Sequence, residues 1–383
     1  MTIAEDNNAR RPTWAEIDLD ALAENLRVIR ERVGREVNVM AAVKADAYGH
    51  GAVPCARRLE AEGVEWFGVA LPEEGIELRR GGITKPILCL GGFWEGQQNA
   101  CLQQNLTPVV YRLDMIESLD RFARDAGVIA DVHVKIDTGM GRLGVRSEDV
   151  PQFCEALSRL GNIRVDGLMT HLASADDPAQ ENFTKGQLER FELAVEIFRE
   201  RGFAPSHVHA ANSAAAFAYP TARGEMVRPG ATLYGFSRDV LSPNITPPRL
   251  RPVMSLHSRI MLLKTVGKRE KLGYGCSFET SRESLIATIP IGYDDGYRRA
   301  LSNRGRVIVG GKLAPVIGRI SMDLTLIDVT DVPGVSLRDQ VTLLGRHGAL
   351  TITAEEVAEL AGTISYEITC AISSRVPRIY ANV

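Results

Sequence analysis

The stretch Val37-Asn-Val-Met-Ala-Ala-Val-Lys-Ala-Asp-Ala-Tyr-Gly-His-Gly51 is an apolar run that ends in a lysine and opens into a glycine-flanked loop. Seven further apolar runs of strand length follow it: Trp66–Ala70, Pro86–Gly91, Thr107–Tyr111, Asp131–Asp137, Arg164–His171, His207–Asn212 and Met226–Gly235. Between them, apolar residues recur three and four apart, as in Leu113–Ala126 and Gln180–Gly202, which is the period of an amphipathic helix. Asp114 and Pro178 stand near helix starts, Gly127 and Gly202 near stops, and a leading helix, Leu19–Val33, precedes the first strand. Eight strands alternating with helices over about 240 residues predict an α/β fold, a (β/α)8 barrel. A doubly wound sheet is the alternative, but no G-x-G-x-x-G follows a strand where that fold requires it.

The segment Leu241-Ser-Pro-Asn-Ile-Thr-Pro-Pro-Arg-Leu-Arg-Pro252 breaks the alternation and reads as a linker. Beyond it, strand follows strand: Ser255–Val266, Ser284–Ile291, Arg306–Val309, Pro315–Ile320, Leu324–Val329 and Gln340–Leu344. One helix, Thr353–Ala361, carries the capping-box pair Thr353 and Glu356. The expected organisation is a barrel over residues 1–243 and a mostly β C-terminal domain over 244–383.

Composition narrows the function classes. A chain of 383 residues exceeds what one hydrophobic core normally serves. An apolar fraction of 45% and a charged fraction of 24% are those of a globular protein, not a disordered one. A net charge of -3 leaves no basic footprint for nucleic acid. No apolar run approaches a membrane span, and the polar N-terminus has no apolar core of a secretory signal. The six cysteines lack C-x-x-C spacing, so buried reduced thiols in a cytoplasmic protein are expected.

Barrel active sites lie at the C-terminal ends of the strands. Only eight lysines exist, and Lys44 closes an apolar strand there. An ammonium in an apolar mouth is disfavoured, so the amine becomes available to attack an aldehyde. Tyr48 lies in the loop that follows. The fifth strand delivers Lys135 and Arg142 around a glycine-rich turn, the sixth ends in His171, the seventh in Asn212-Ser213 and the eighth in Arg228-Pro-Gly230. Polar ends on five of eight strands are expected of a ligand site rather than of core packing. His207 and His209 share one face of the seventh strand, and without a third ligand nearby they read as hydrogen-bonding partners, with no metal site. The late β-domain adds Gly273-Tyr-Gly275, Gly292-Tyr-Asp-Asp-Gly-Tyr297 and Arg319-Ile-Ser-Met-Asp323.

Four of these segments together, Ala42-Val-Lys-Ala-Asp-Ala-Tyr-Gly-His-Gly51, Asp137-Thr-Gly-Met-Gly-Arg-Leu-Gly144, Val227-Arg-Pro-Gly230 and Gly273-Tyr-Gly275, resemble those of alanine racemases. Thr13-Trp-Ala-Glu-Ile-Asp-Leu19 is similar to that family's entry into its first helix, so the resemblance runs to about Arg378. It implies a pyridoxal 5'-phosphate enzyme that interconverts L- and D-alanine and supplies D-alanine for peptidoglycan. Lys44 would hold the cofactor as a Schiff base and act on D-alanine. Tyr274 from the partner of a homodimer would act on L-alanine. Tyr48, Ser213, Tyr366 and the backbone of Gly230 and Ala231 would bind the phosphate, with Asn212 beside them. Arg142, helped by the partner's Met322, would meet the substrate carboxylate. Lys135 looks like the lysine often carbamylated in this family, which orients Arg142. His171 would link Tyr274 to Arg228.

Arg228 would face the pyridine nitrogen, where many such enzymes place a carboxylate. Arginine is a permanent donor, so the nitrogen would stay unprotonated and transamination would be limited. Ser321 departs from the cysteine that some relatives carry. A barrel decarboxylase with the same cofactor is the nearest alternative, but it typically shows Glu-Pro-Gly-Arg where this chain reads Arg228-Pro-Gly230. A non-catalytic cofactor-binding protein would not need the β-domain or Tyr274. A pocket walled by Tyr366 and a partner tyrosine such as Tyr293 should prefer alanine and turn over serine slowly.

Overall fold

A computed structural model describes residues 11–381. The chain divides into two compact units, one of Leu22–Ala47 with Gly51–Arg251, the other of residues 11–21, 48–50 and 252–381. In the first, all eight expected barrel strands form, at Asn38–Ala42, Trp66–Val69, Ile87–Cys89, Leu106–Val110, Ala130–Asp137, Ile163–Met169, His207–His209 and Met226–Val227. Every neighbouring pair from the eighth strand round through the first to the seventh is parallel. The seventh and eighth strands meet only through the bridge Asn212–Arg228 and bonds such as Arg228 N to Ala211 O at 2.9 Å. The barrel therefore closes at the two residues that sequence marks as polar strand ends.

Met40, Trp66, Leu88, Val109, Met169 and Met226 pack as one buried cluster, each from a different strand, which fills the barrel as a layered core. The strands end earlier than the apolar runs do. Lys44, Ser213 and Ala231 each begin a helical turn instead of extending the strand. The helices Leu19–Val33, Leu113–Ala126 and Glu181–Glu200 form as their periodicity predicts, and Gly127 ends the second in the left-handed conformation.

The second unit is mostly antiparallel sheet. Thr13–Asp18, read in sequence as the run into the first helix, is itself a strand with two-residue alternation of burial. It pairs antiparallel with Met254–Arg259 and parallel with Arg378–Ala381. The run Ser255–Val266 is two strands, because Met254–Arg259 joins Gln340–His347 while Leu262–Val266 joins Ser284–Ile289. Helix Ala354–Ala361 is capped by the Thr353 hydroxyl, which accepts from Glu356 N at 3.2 Å. Four cysteines are buried as expected, but Cys276 and Cys370 are exposed, because each lies in a short surface turn or helix end rather than under the sheet.

Asn25 on the first helix is fully buried and satisfies three backbone groups. Its amide donates to Leu233 O at 2.9 Å and to Arg251 O at 2.7 Å, and its oxygen accepts from Arg251 N at 2.7 Å. One side chain thus ties the turn after the last barrel strand to the end of the proline-rich segment. Asn25→Leu strands those groups in an apolar setting, so it should lower unfolding free energy by at least about 2 kcal/mol, read as a reduced urea midpoint.

Candidate active site

Lys44 opens a turn whose next four residues are all left-handed: Ala45, Asp46, Ala47 and Tyr48 have φ of 52°, 53°, 53° and 56°. Each non-glycine residue in this region costs roughly 1–2 kcal/mol, and a run of them is held only by strong local bonding. Glu74 supplies much of it. One carboxylate oxygen accepts Ala45 N at 2.7 Å while the other accepts Ala70 N at 2.6 Å and Leu71 N at 3.2 Å. Asp46 accepts Ala52 N at 2.7 Å and so starts the next helix. The lysine that sequence singles out is therefore carried on a strained turn at the end of the first strand.

Ser213 begins the short helix after the seventh strand, with Asn212 as its cap through Ala215 N at 3.0 Å. The Ser213 hydroxyl accepts from Gly230 N at 3.0 Å and sits 3.2 Å from the Thr232 hydroxyl. Gly230 and Ala231 open the 3-10 turn Ala231–Tyr234 beside it. The Ser213 oxygen accepts from both Gly230 N and the Thr232 hydroxyl, which leaves its own hydrogen as a donor beside a helical start, a position suited to an anion.

Arg228 is buried, and all four of its Nη hydrogens have partners. Nη1 meets His209 Nδ1 at 2.7 Å and His209 O at 2.9 Å; Nη2 meets Thr170 O at 2.7 Å and Ala210 O at 3.0 Å. Only the Nε hydrogen is left to point elsewhere. Burial lowers its pKa to about 10, so it stays charged at neutral pH.

Lys135 is 5% exposed, and its pKa is lowered to about 8, first by burial and then by Arg228, Arg142 and Lys44. The same four cations and burial push the imidazole of His171 well below its ordinary value. Asp137 acts on Lys135 in the opposite sense, and its carboxylate is already engaged by Gly139 N, Gly141 N and Arg146. The mouth of the barrel is thus a concentration of positive charge built to receive anions. No hydrogen bond joins His171 to Arg228, and the two are coupled through charge alone.

The remaining expected residues lie on the β-rich unit. Tyr48 and Tyr366 pack ring to ring with centroids 5.7 Å apart, and burial raises the Tyr48 phenol far above its usual range. Tyr274 is 71% exposed and Met322 50%. A Cβ on Gly292 would lie 2.2 Å from Met322 O, so only glycine allows the two loops to lock. Tyr293 N donates to Ser321 O and Asp294 N to Met322 O, and Arg375 bridges Asp294 and Asp323. Glu74 and Arg375 were not singled out in sequence, since each looks like an ordinary surface charge until the fold supplies its partners.

Residues 17–238 match the family model described as alanine racemase, N-terminal domain, and residues 253–380 match the alanine racemase C-terminal domain. The alanine racemase of Halothermothrix orenii is 44% identical over 97% of each chain. The alanine racemase structure from Streptomyces coelicolor superposes with a TM-score of 0.91 at 39% identity, covering 97% of this chain and 98% of the other. That from Bartonella henselae, which carries covalently bound pyridoxal phosphate, gives 0.86 at 30% identity, covering 97% and 99%. The chain belongs to the alanine racemase family.

It is accordingly a pyridoxal-phosphate-dependent isomerase of alanine. The barrel mouth fits that alanine racemase cofactor on its own chemistry: converging donors at Ser213 and Gly230 for a phosphate, a lysine for an aldehyde, and an arginine with one donor to spare.

The cation excess has a pH consequence. Lys135 has a folded pKa of about 8 against an ordinary 10.5, so unfolding takes up a proton between those values and stability rises with pH across that window. Below about 8 the buried charge is a standing cost. In CO2-free buffer, the unfolding free energy of the cofactor-free chain minus that of Lys135→Met should increase by up to about 3 kcal/mol across that window. A difference that stays flat in denaturant titrations would contradict the assigned cation cluster.

Proposed function

We propose that Lys44 and Tyr274 are the two bases of alanine racemisation, and that Tyr274 acts from the partner subunit of a homodimer. The observation that carries this reading is the cluster of Lys44, Lys135, Arg142 and Arg228 at one barrel mouth. Bound there, pyridoxal phosphate would supply the electron sink that acidifies the α-hydrogen of the amino-acid substrate. Ser213, Tyr48, Tyr366 and the N–H groups of Gly230 and Ala231 would hold its phosphate, with Asn212 fixing the helix start.

The amine of Lys44 removes or returns a proton at Cα on one face, acting on D-alanine. Tyr274 of the partner subunit does so on the other face, acting on L-alanine. Two bases are the direct solution to a reaction that takes a proton from one side and returns it to the other. Arg142 holds the substrate carboxylate. Lys135, with part of its amine neutral near pH 8, is placed to take up CO2 as a carbamate, whose negative charge the surrounding cations would stabilise. With its Nη atoms engaged, Arg228 would offer its Nε hydrogen to the ring nitrogen of the bound cofactor and, as a donor that cannot accept, would leave that nitrogen unprotonated, which would limit transamination.

Exposed Tyr274, together with exposed Tyr293 and Met322 on interlocked loops, supports a face that meets a second copy. The six cysteines, none of them in a disulfide among the described residues, support a cytoplasmic enzyme. An added hydroxyl on the substrate changes the rate by ~100-fold at most, so serine should be a slow substrate.

A mixed-dimer experiment tests the shared site. Lys44→Ala and Tyr274→Phe chains should each be nearly inactive alone. Co-expressed, half the dimers are hybrids with one intact site each, so activity should return to about one quarter of wild type per total site. No recovery, with subunit exchange demonstrated, would refute the shared site. Lys44→Ala should also lose the borohydride-trappable cofactor, and trapping at another lysine would remove Lys44 from its role.

A further inference from the structure

Below the cation cluster, the barrel interior holds a second polar feature that the proton-transfer scheme does not use. His209 Nε2 lies 2.9 Å from His133 Nδ1, and both imidazoles are fully buried. His133 Nε2 lies 3.6 Å from Asp166 Oδ2, longer than a hydrogen bond but within ion-pair reach. His207 Nε2 approaches the same oxygen at 3.7 Å. Trp66 packs against both outer imidazoles, with ring centroids 5.3 Å from His133 and 5.1 Å from His207.

The fold makes specific room for this chain. The fifth and sixth strands pair in register except between Val132 and His133, where Val165 and Gly167 are the partners and Asp166 is the extra residue. This bulge takes Asp166 out of the ladder's register, next to His133, a re-aiming that bulges commonly perform. A Cβ on Gly167 would lie 2.6 Å from the His133 ring, so the imidazole occupies the space a side chain would need.

The direction of every proton follows from Arg228. Guanidinium has donors and no acceptor, so His209 Nδ1, 2.7 Å from Nη1, must be unprotonated. A neutral His209 then carries its proton on Nε2 and donates to His133 Nδ1. That leaves the His133 proton on Nε2, facing the Asp166 carboxylate.

We propose that His209, His133 and Asp166 are positioning residues for Arg228, linked as a one-way chain of neutral Nε2-protonated imidazoles that ends on a carboxylate. This rests on Arg228 being the partner of the pyridine nitrogen. The chain makes His209 Nδ1 a stronger acceptor and locks the guanidinium by its Nη atoms, so that Nε is the donor presented to the ring. The groups that face it are Arg228, Asp166 and His207, with Arg164 acting on Asp166; burial and the neighbouring cations keep His209 and His133 neutral.

With seven histidines in the chain, 15N spectra of labelled protein are assignable by single substitutions. In both apo and cofactor-loaded protein, His209 and His133 should remain neutral and Nε2-protonated from about pH 6 to about pH 9. An imidazolium, or a proton on Nδ1 of either ring, would overturn the chain. Asp166→Asn keeps the shape and removes the charge. It should perturb the His133 spectrum, raise pyruvate formed per racemisation on the order of ten-fold, and lower kcat with KM nearly unchanged. Asp166→Glu should restore most of the wild-type ratio, and Gly167→Ala, which displaces His133, should mimic the Asn variant. An Asp166→Asn protein with unaltered His133 signals and an unaltered pyruvate ratio would reject the proposal. Failure of the loaded protein to show any ring-nitrogen dependence on Arg228→Glu would instead reject the reading of Arg228, while the apo spectra still decide the chain.

Discussion

Everything at the barrel mouth depends on a charge that cannot be removed. Arg228 is buried and remains cationic, and the barrel answers it with three carbonyls and one imidazole nitrogen rather than with a carboxylate. Carbonyl dipoles hold the guanidinium without cancelling its field. Burial first, and then that field, draw down the proton affinity of Lys135 and His171, and the field leaves the mouth receptive to phosphate and carboxylate groups. An acid in contact with Arg228 would have neutralised this field and removed the reason for an anionic cofactor to settle there.

The closure of the barrel and the position of this arginine are one structural fact. The seventh and eighth strands are short and share only the bridge at Asn212 and Arg228, so backbone carbonyls that a longer ladder would consume remain available to the guanidinium. The same shortness lets Ser213 and Ala231 turn at once into helical starts whose N–H groups converge. Across the mouth, the left-handed turn after Lys44 is a second local cost, carried by the Glu74 carboxylate. Strain and incomplete pairing are concentrated around the functional groups, while the apolar cluster of Met40, Trp66, Leu88, Val109, Met169 and Met226 packs beside the histidine chain in the barrel interior.

The β-rich unit presents its functional side chains differently. Tyr274 and Met322 are exposed, yet their loops are fastened by glycine contacts and the Arg375 bridges, so exposure here accompanies order. A rigid aromatic on a surface loses little entropy when a partner covers it. The barrel residues, by contrast, are fixed by burial.

Sequence alone determined the eight strands, the principal helices and the identity of the polar strand ends, because two-residue and 3.6-residue periodicities and strand-end chemistry are local properties. It also carried the family, through short motifs whose order and distance are specific. It did not mark Thr13–Asp18 as a strand, since a six-residue alternating run cannot announce that its partners lie more than two hundred residues away. It gave no sign of the left-handed turn after Lys44, which is held in large part by Glu74 arriving from the next β–α unit. Nor did it mark Asp166: which residues of the sixth strand meet His133 is decided by the bulge between two paired strands. Side-chain type is written along the chain, but which charges share a space is set by register, bulges and closure, and those are properties of the folded sheet.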